Sequence, residues 1–142
     1  IDVRKYLHPI SGSRNILAFW SYNLFTLDGH PPYLDLPSTG WDTYSNTGRG
    51  YVQSRFRSRN MMDLEAEYRF GISRNGLIGG VIFANAQSYS EMGTNRFEVL
   101  QPGYGAGLRI KFNKFSRTNV CIDYGFGLHG SSGLFLNLGE VF

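Results

Sequence analysis

Two acidic residues, Glu65 and Glu67, stand two positions apart, a spacing that puts both carboxylates on the same face of an extended strand. Paired carboxylates act as general acid and base in many hydrolases. The chain also offers three arginines, Arg49, Arg69 and Arg109, to neutralise them. Because opposite charges balance one another in a water-filled interior, charge balancing explains the acidic pair better than catalysis.

The other reactive residue types form no pattern typical of catalysis or metal binding. The histidines His8, His30 and His129 are far apart in sequence, and no serine lies in a Gly-x-Ser-x-Gly motif. The single cysteine, Cys121, has no disulfide partner in the sequence, and we expect it to be a small filler of the interior. The sequence therefore predicts no enzymatic activity, no metal ion and no cofactor.

The composition excludes several classes of protein. The chain of 142 residues is 42% hydrophobic and 15% aromatic and carries few charges, so it has enough apolar surface to fold. Its best apolar stretch, residues 77–86, is interrupted by glycine and asparagine and is shorter than the roughly 20 residues that a membrane-spanning helix needs. The net charge of +3 is spread along the chain, which argues against nucleic-acid binding.

Apolar and polar residues alternate along much of the sequence, as they do in strands with one face buried. The alternation is clean in residues 62–70, 104–112, 120–128 and 134–142. It is weaker in residues 15–25 and 78–89, and residues 2–7 resemble a strand cut at its start. Short connections are predicted at residues 74–76, 113–118 and 130–133, and long ones at residues 28–59 and 91–103.

The pattern favours a barrel in a membrane over a soluble antiparallel barrel or sandwich. Short connections alternate with long ones, and each strand is near the about 9–11 residues that a tilted strand needs to cross the hydrocarbon. The face opposite the apolar residues is rich in glycine and scattered charges, where a soluble fold usually carries Lys, Glu and Thr. Aromatic residues lie near strand ends, as a membrane-interface girdle requires: Tyr68, Phe70, Tyr104, Phe112 and Phe142.

We therefore predict an all-β fold, an antiparallel transmembrane β-barrel with its apolar side chains facing lipid and its charges facing the interior. On this assignment lysine at Leu108 or Ile122 hinders membrane insertion, whereas lysine at Gly107 is tolerated. The last segment has the pattern of the terminal strand of bacterial outer-membrane barrels, carried by Leu134, Leu136, Leu138, Gly139 and Phe142. Because single-chain bacterial barrels close with an even number of strands, we expect residues 1–142 to be the C-terminal six to seven strands of a larger barrel.

The motif Gly48-Arg49-Gly50-Tyr51 lies inside the longest predicted connection, directly before the strand that carries Glu67. This motif and the strands after it resemble the BamA, TamA and Sam group of outer-membrane assembly and translocation barrels, also called the bacterial surface antigen family. In that family an Arg-Gly-Tyr or Arg-Gly-Phe sequence sits at the tip of a long extracellular loop that folds back into the barrel. The resemblance implies a sixteen-stranded barrel in the bacterial outer membrane.

The resemblance also implies a loop lock, in which the loop arginine meets acidic groups on neighbouring strands. Carried over to this sequence, Arg49 meets Glu67, and Gly48 and Gly50 permit a tight loop tip. The next strand of the family usually offers a second acid in a Phe-x-Asp pattern, where this chain has Asn85. The lock is therefore expected to have one charge fewer than in the family.

The function implied by the resemblance is insertion or translocation of proteins at the outer membrane. The implied partners are outer-membrane lipids, unfolded outer-membrane protein clients, accessory lipoproteins, and the missing strands, from the same parent chain or from neighbouring copies. Two alternatives stay open. One is a barrel that anchors an upstream enzyme such as a patatin-like lipase, and the other is a small closed barrel that acts as an adhesin or scaffold.

Overall fold

The computed structural model describes residues 1–9, 11–111 and 118–142, which form an all-β structure of seven strands in one antiparallel sheet. The strands are β1 (Asp2–Leu7), β2 (Ile16–Phe25), β3 (Asn60–Gly71), β4 (Ile78–Ser90), β5 (Phe97–Lys111), β6 (Asn119–Gly127) and β7 (Ser132–Leu138). Each strand pairs with its neighbour in sequence, so β1 and β7 form the two edges, and within the described residues the sheet is not closed. A short 3-10 helix occupies Tyr33–Asp35. No helix in the described part of the chain has the length and apolar character needed to span a membrane.

The alternation in the sequence correctly predicts the two faces of the sheet. In β3, Glu65 and Glu67 are buried, whereas Met62 and Leu64 are exposed. We call the side that carries the two glutamates the inner face and the opposite side the outer face. Leu136 on the outer face of β7 is 69% exposed. The sheet is therefore buried on its charged side and open on its apolar side, the reverse of an ordinary soluble sheet.

The register of the sheet sets inner-face residues of adjacent strands side by side. Asp63 in β3 lies opposite Gln87 in β4, which lies opposite Gln101 in β5. Glu65 lies opposite Asn85 in the adjacent row. Directly opposed side chains of neighbouring strands are close enough to contact each other. The inner face thus carries two adjacent polar rows.

The connection between β4 and β5 is shorter than predicted. β5 begins at Phe97, so the connection comprises only residues 91–96, and the prediction of a long connection at residues 91–103 is wrong. Residues 97–100 are exposed on both faces, because this part of β5 extends beyond β6 and pairs only with β4. A strand exposed on both faces shows no alternation of apolar and polar residues, so its sequence does not indicate a strand.

The remaining connections follow the predictions more closely. The predicted turn at residues 74–76 lies within the connection from β3 to β4, and the turn from β6 to β7 occupies residues 128–131, two positions before the predicted one. Phe112 and residues 113–117 of the predicted turn after β5 lie outside the described residues. Among the described connections only residues 26–59 form a long one. Of the two long connections that the sequence predicted, this loop is therefore the one that the structure contains.

The last strand ends earlier than predicted. β7 stops at Leu138, and Gly139 has a φ of +98°, a conformation that glycine adopts easily and that turns the chain out of the strand. Val141 and Phe142 are then buried, and the Phe142 ring stacks on Trp20 of β2 with 5.2 Å between ring centroids. The prediction that Phe142 ends the last strand within an outer aromatic girdle is therefore wrong. Burial against the Trp20 ring stabilises Phe142 on the inner side of the sheet.

Candidate functional site

The tip of the long loop between β2 and β3 lies against the inner face of the sheet. Residues 46–51 are buried, although most residues of connections are exposed in proteins. The Arg49 side chain at this tip contacts carboxylates of β3 and of β6. Three strand spacings of about 4.8 Å separate β3 from β6 in a flat sheet, which is too far for one guanidinium to bridge. The sheet must therefore curve around the loop tip.

Three carboxylates surround the guanidinium of Arg49. Its Nη2 lies 2.8 Å from Glu65 Oε2 and 2.6 Å from Glu67 Oε1, and its Nη1 lies 2.7 Å from Asp123 Oδ2. The ring of Phe83 packs beneath the charge, with 3.8 Å between the guanidinium carbon and the ring centroid. Charge-assisted contacts of this length are the strong class of hydrogen bond. Arg49 thus holds the loop tip on the sheet through three ion pairs.

The electrostatics of the cluster favour a charged Arg49. Burial opposes the charged form, but the attraction of Glu65, Glu67 and Asp123 outweighs it, so the pKa of Arg49 lies above its ordinary value. A second arginine, Arg109 of β5, contacts Asp123 and lies 3.5 Å from Glu67 Oε1. The charges form one network. Glu67 and Asp123 each contact more than one arginine, whereas Glu65 contacts a single arginine, Arg49, among the described residues.

A third arginine extends the network towards the opposite end of the sheet. Arg69 Nε lies 2.7 Å from Glu67 Oε2, and Arg69 Nη2 donates a hydrogen bond of 2.8 Å to the main-chain oxygen of Phe142. Glu140 faces the same group, with 3.5 Å between its Oε2 and Arg69 Nη1. The ion-pair network therefore also reaches the segment that follows β7.

The two glycines beside Arg49 are required by close contacts with the sheet. Gly50 has a φ of +107°, and a Cβ atom there would lie 2.7 Å from the carbonyl oxygen of Phe126. Gly48 has a φ of +75°, and a Cβ atom there would lie 2.5 Å from the side-chain nitrogen of Gln87. A side chain at either position would push the loop away from the strands. The sequence motif therefore allows the loop backbone to approach the sheet directly.

Main-chain and side-chain hydrogen bonds complete the contact of the loop with the sheet. Asn85 Nδ2 donates to the carbonyl oxygen of Arg49 over 2.8 Å. The Tyr51 hydroxyl donates to the carbonyl oxygen of Pro102 over 2.6 Å and accepts from the main-chain nitrogen of Leu128 over 2.9 Å. These contacts join the loop tip to β4, β5 and the turn after β6. The loop tip is therefore fixed on several strands at once.

The structure brings together Arg49 and Glu67, the two residues paired on the resemblance, and adds two further acids. Glu65 and Asp123 also bind Arg49. Asn85 contacts the loop backbone rather than the guanidinium. The alternation placed Glu65 and Asp123 on the inner face, but the contact of Asp123 spans 74 positions of sequence and depends on the curvature of the sheet. Of the terminal-strand residues, Phe142 touches the network through its main-chain oxygen, which accepts a hydrogen bond from Arg69.

One expectation about substitution is also wrong. Gly107 in β5 faces the inner side, where a Cβ atom would lie 2.7 Å from the carbonyl oxygen of Ile122 and would overlap the Asp123 carboxylate. A lysine at this position therefore has no room. Leu108 and Ile122 are on the outer face, as predicted: Leu108 is 43% exposed and Ile122 is half-buried.

The ion pairs of the cluster hold the loop tip on the sheet. Each carboxylate of the cluster lies within ion-pair distance of an arginine, so each already has a partner within the protein. No group of three His, Cys, Asp or Glu side chains in the described ranges is placed to hold a metal ion. Comparisons of the chain with protein-family models, with curated protein sequences and with solved structures find no match.

Proposed function

We propose that the chain is part of a BamA-like β-barrel of the bacterial outer membrane that inserts or translocates proteins. The observation that carries the proposal is the reversed polarity of the sheet. Leu134, Leu136 and Leu138 are 61%, 69% and 75% exposed, whereas Glu67 and Asp123 are at most 1% exposed. An outer face of this kind is suited to lipid, because exposed apolar side chains gain free energy when water is removed from them.

Aromatic side chains on the outer face support the same proposal. Tyr104 and Phe126 stack with 5.7 Å between ring centroids, and Tyr124 packs edge-on against Phe126 at 5.0 Å. Tyr104 is 64% exposed, Phe126 is 43% exposed and Tyr124 is 45% exposed. An exposed aromatic cluster is typical of the membrane interface, where the rings lie among lipid headgroups.

The two edges of the sheet provide the sites for further strands. β1 and β7 have no second partner among the described residues, and unpaired edge strands readily pair with another chain. In the proposal the missing strands complete a sixteen-stranded barrel and come from the same parent chain or from neighbouring copies. The β7 edge is the movable one, at which an incoming client strand pairs. Accessory lipoproteins and outer-membrane lipids are the other proposed partners.

Arg49 is the proposed loop lock of this barrel. Its three ion pairs hold residues 46–51 on the inner face, so that the loop fills the interior next to β3 and β6. A filled interior also suits a second candidate function, a barrel that anchors an upstream enzyme such as a patatin-like lipase. The open sheet gives no comparable support to a small closed barrel that acts as an adhesin or scaffold.

A client-folding assay tests the proposal and separates the two candidates. The full chain is reconstituted into liposomes, and the folding rate of an unfolded outer-membrane protein client is compared with the rate in liposomes without the chain. Faster client folding supports the insertion function. Stable insertion of the chain without faster client folding favours the anchor, and failure of the chain to insert contradicts both.

A further inference from the structure

One buried charge on the inner face has no partner. The described residues bury six charged side chains, and five of them form the ion pairs around Arg49 and Arg109. The sixth is Asp63 of β3, which is 0% exposed and belongs to no ion pair in the described residues. Neither of its carboxylate oxygens accepts a hydrogen bond from any described residue.

An unpartnered carboxylate of this kind is costly. A buried charge persists only with a counter-charge or with hydrogen-bond donors, because the protein interior solvates ions poorly. The nearest arginine of the loop, Arg49, is already held by Glu65, Glu67 and Asp123. Something other than the described side chains must therefore compensate the charge of Asp63.

The neighbours of Asp63 offer further unpartnered polar atoms. Gln87, directly opposite in β4, is 0% exposed, and its Nε2 makes no hydrogen bond with the described residues. Gln101, opposite Gln87 in β5, has an unpartnered and buried Oε1. The Gln87 Oε1 accepts from the Tyr89 hydroxyl over 2.7 Å, and because a hydroxyl can also accept, the amide can be turned over so that its oxygen takes the place of the unpartnered Nε2.

We infer that Asp63, Gln87 and Gln101 form a binding site for a hard metal cation. Carboxylate and amide oxygens are the ligands that Ca²⁺ and similar cations prefer, with water completing the coordination. With Asp63 ionised, the row carries one negative charge and no positive one, which suits a cation. The inference rests on the inner face alone and does not depend on the proposed function.

The site lies beside the loop tip, which gives the ion a structural role. A Cβ atom on Gly48 would touch the Gln87 amide, so the loop backbone packs directly on a ligand of the site. The Gly48 nitrogen donates to Glu65 Oε1 over 3.1 Å, and Glu65 is the next inner-face residue after Asp63. The bound cation therefore stabilises the docked loop together with Arg49.

Terbium luminescence tests the site, because Tb³⁺ occupies Ca²⁺ sites and is excited through nearby aromatic rings such as that of Tyr89. The full chain in detergent is titrated with TbCl₃, and the bound ion is then displaced with CaCl₂. We expect saturable emission, loss of affinity by about tenfold or more in Asp63→Asn, and no change in Glu98→Gln, a control that removes an exposed acid of β5. Equal affinity in Asp63→Asn and in the parent chain overturns the inference.

Thermal unfolding gives a second and independent readout. CaCl₂ or NaCl is expected to raise the Tm of the parent chain by about 2–8 °C relative to choline chloride at equal ionic strength, because a ligand that binds only the folded state stabilises it. Asp63→Asn is expected to lose this response. If it does not fold, Gln101→Leu, at a half-buried position, takes its place with a weaker response. If the Tm depends on no cation, water or a proton compensates the Asp63 carboxylate, and the inference is overturned.

Discussion

The two faces of the same strands are stabilised in different ways. On the inner face Glu67 contacts Arg49, Arg69 and Arg109, so its position is determined by specific partners. On the outer face Leu136 is mostly exposed and needs only an apolar environment. A substitution on the inner face therefore acts through lost partners or lost space, whereas a substitution on the outer face acts through the polarity of the new side chain.

The difference extends to the spacing of atoms. The inner face is packed against the loop so closely that Gly50 has no room for a methyl group. The outer face has an open groove of about 390 Å³ between β1 and β4, whose floor is formed by the small residues Ala66, Ala84 and Ala86. The same sheet is thus tightly packed on one side and loosely covered on the other.

The largest effect is expected from removing the positive charge of Arg49 from the inner face. Arg49→Ala leaves three buried carboxylates with less compensation, which costs about 3–5 kcal/mol of unfolding free energy. The loop is released, so limited proteolysis is expected to cut within residues 28–59 faster than in the parent chain. Arg49→Lys is expected to restore part of the protection, because an ammonium keeps the charge but not the forked geometry. Unchanged cleavage in Arg49→Ala contradicts the loop lock.

A charge added to the outer face is expected to have the next largest effect. Leu108→Lys or Ile122→Lys places a cation against lipid, at a cost of about 2–4 kcal/mol near the bilayer midplane. The yield of folded chain in liposomes is measured by flotation and protease protection. Met92→Lys is the matched control, since Met92 is also apolar and exposed but lies in the connection between β4 and β5. Equal yields for all three variants contradict the assignment of the outer face to lipid.

Larger side chains are expected to have a smaller effect on the unfolding free energy, and the effect is expected to differ between the two faces. Gly50→Ala is expected to cost about 1–3 kcal/mol, because the residue has a positive φ and its new methyl group meets main-chain atoms of β6. Ala84→Leu, which adds more volume on the outer face, extends into the open groove and is expected to be neutral. Urea unfolding measures both. A larger loss in Ala84→Leu than in Gly50→Ala reverses the comparison.

The smallest effect is expected from a single hydroxyl group. Tyr51→Phe removes the group that pairs with the carbonyl of Pro102 and the main-chain nitrogen of Leu128, which costs about 0.5–1.5 kcal/mol. Tyr104→Phe on the outer face is the control and is expected to change the unfolding free energy little. Equal losses in the two variants indicate that the Tyr51 hydroxyl does not hold the loop.

The strands were predictable because their side chains face two different environments. Period-two alternation located β3 and β6 and assigned Glu65 and Asp123 to the inner face. It missed the first residues of β5, which are exposed on both sides. It also missed the turn at Gly139 that buries Phe142, because a single positive φ at a glycine leaves no periodic signal.

The candidate site was predictable only in part. The pairing of Arg49 with Glu67 came from a resemblance of the loop motif, and the order of residues along the chain could not add Asp123. That contact requires the sheet to curve until β6 faces β3, and curvature depends on the packing of the whole sheet. The missing partner of Asp63 was likewise not visible, since the inward position of a residue does not reveal which side chains reach it.

Quenching by brominated lipids tests whether the outer face of the sheet contacts lipid. Tryptophan is placed on the outer face in Tyr104→Trp, and its emission in liposomes is taken as the difference from the parent chain, which contains Trp20 and Trp41. We predict that the added emission is quenched by brominated lipid and is protected from aqueous iodide. Quenching by iodide with no effect of brominated lipid would contradict a membrane-spanning barrel.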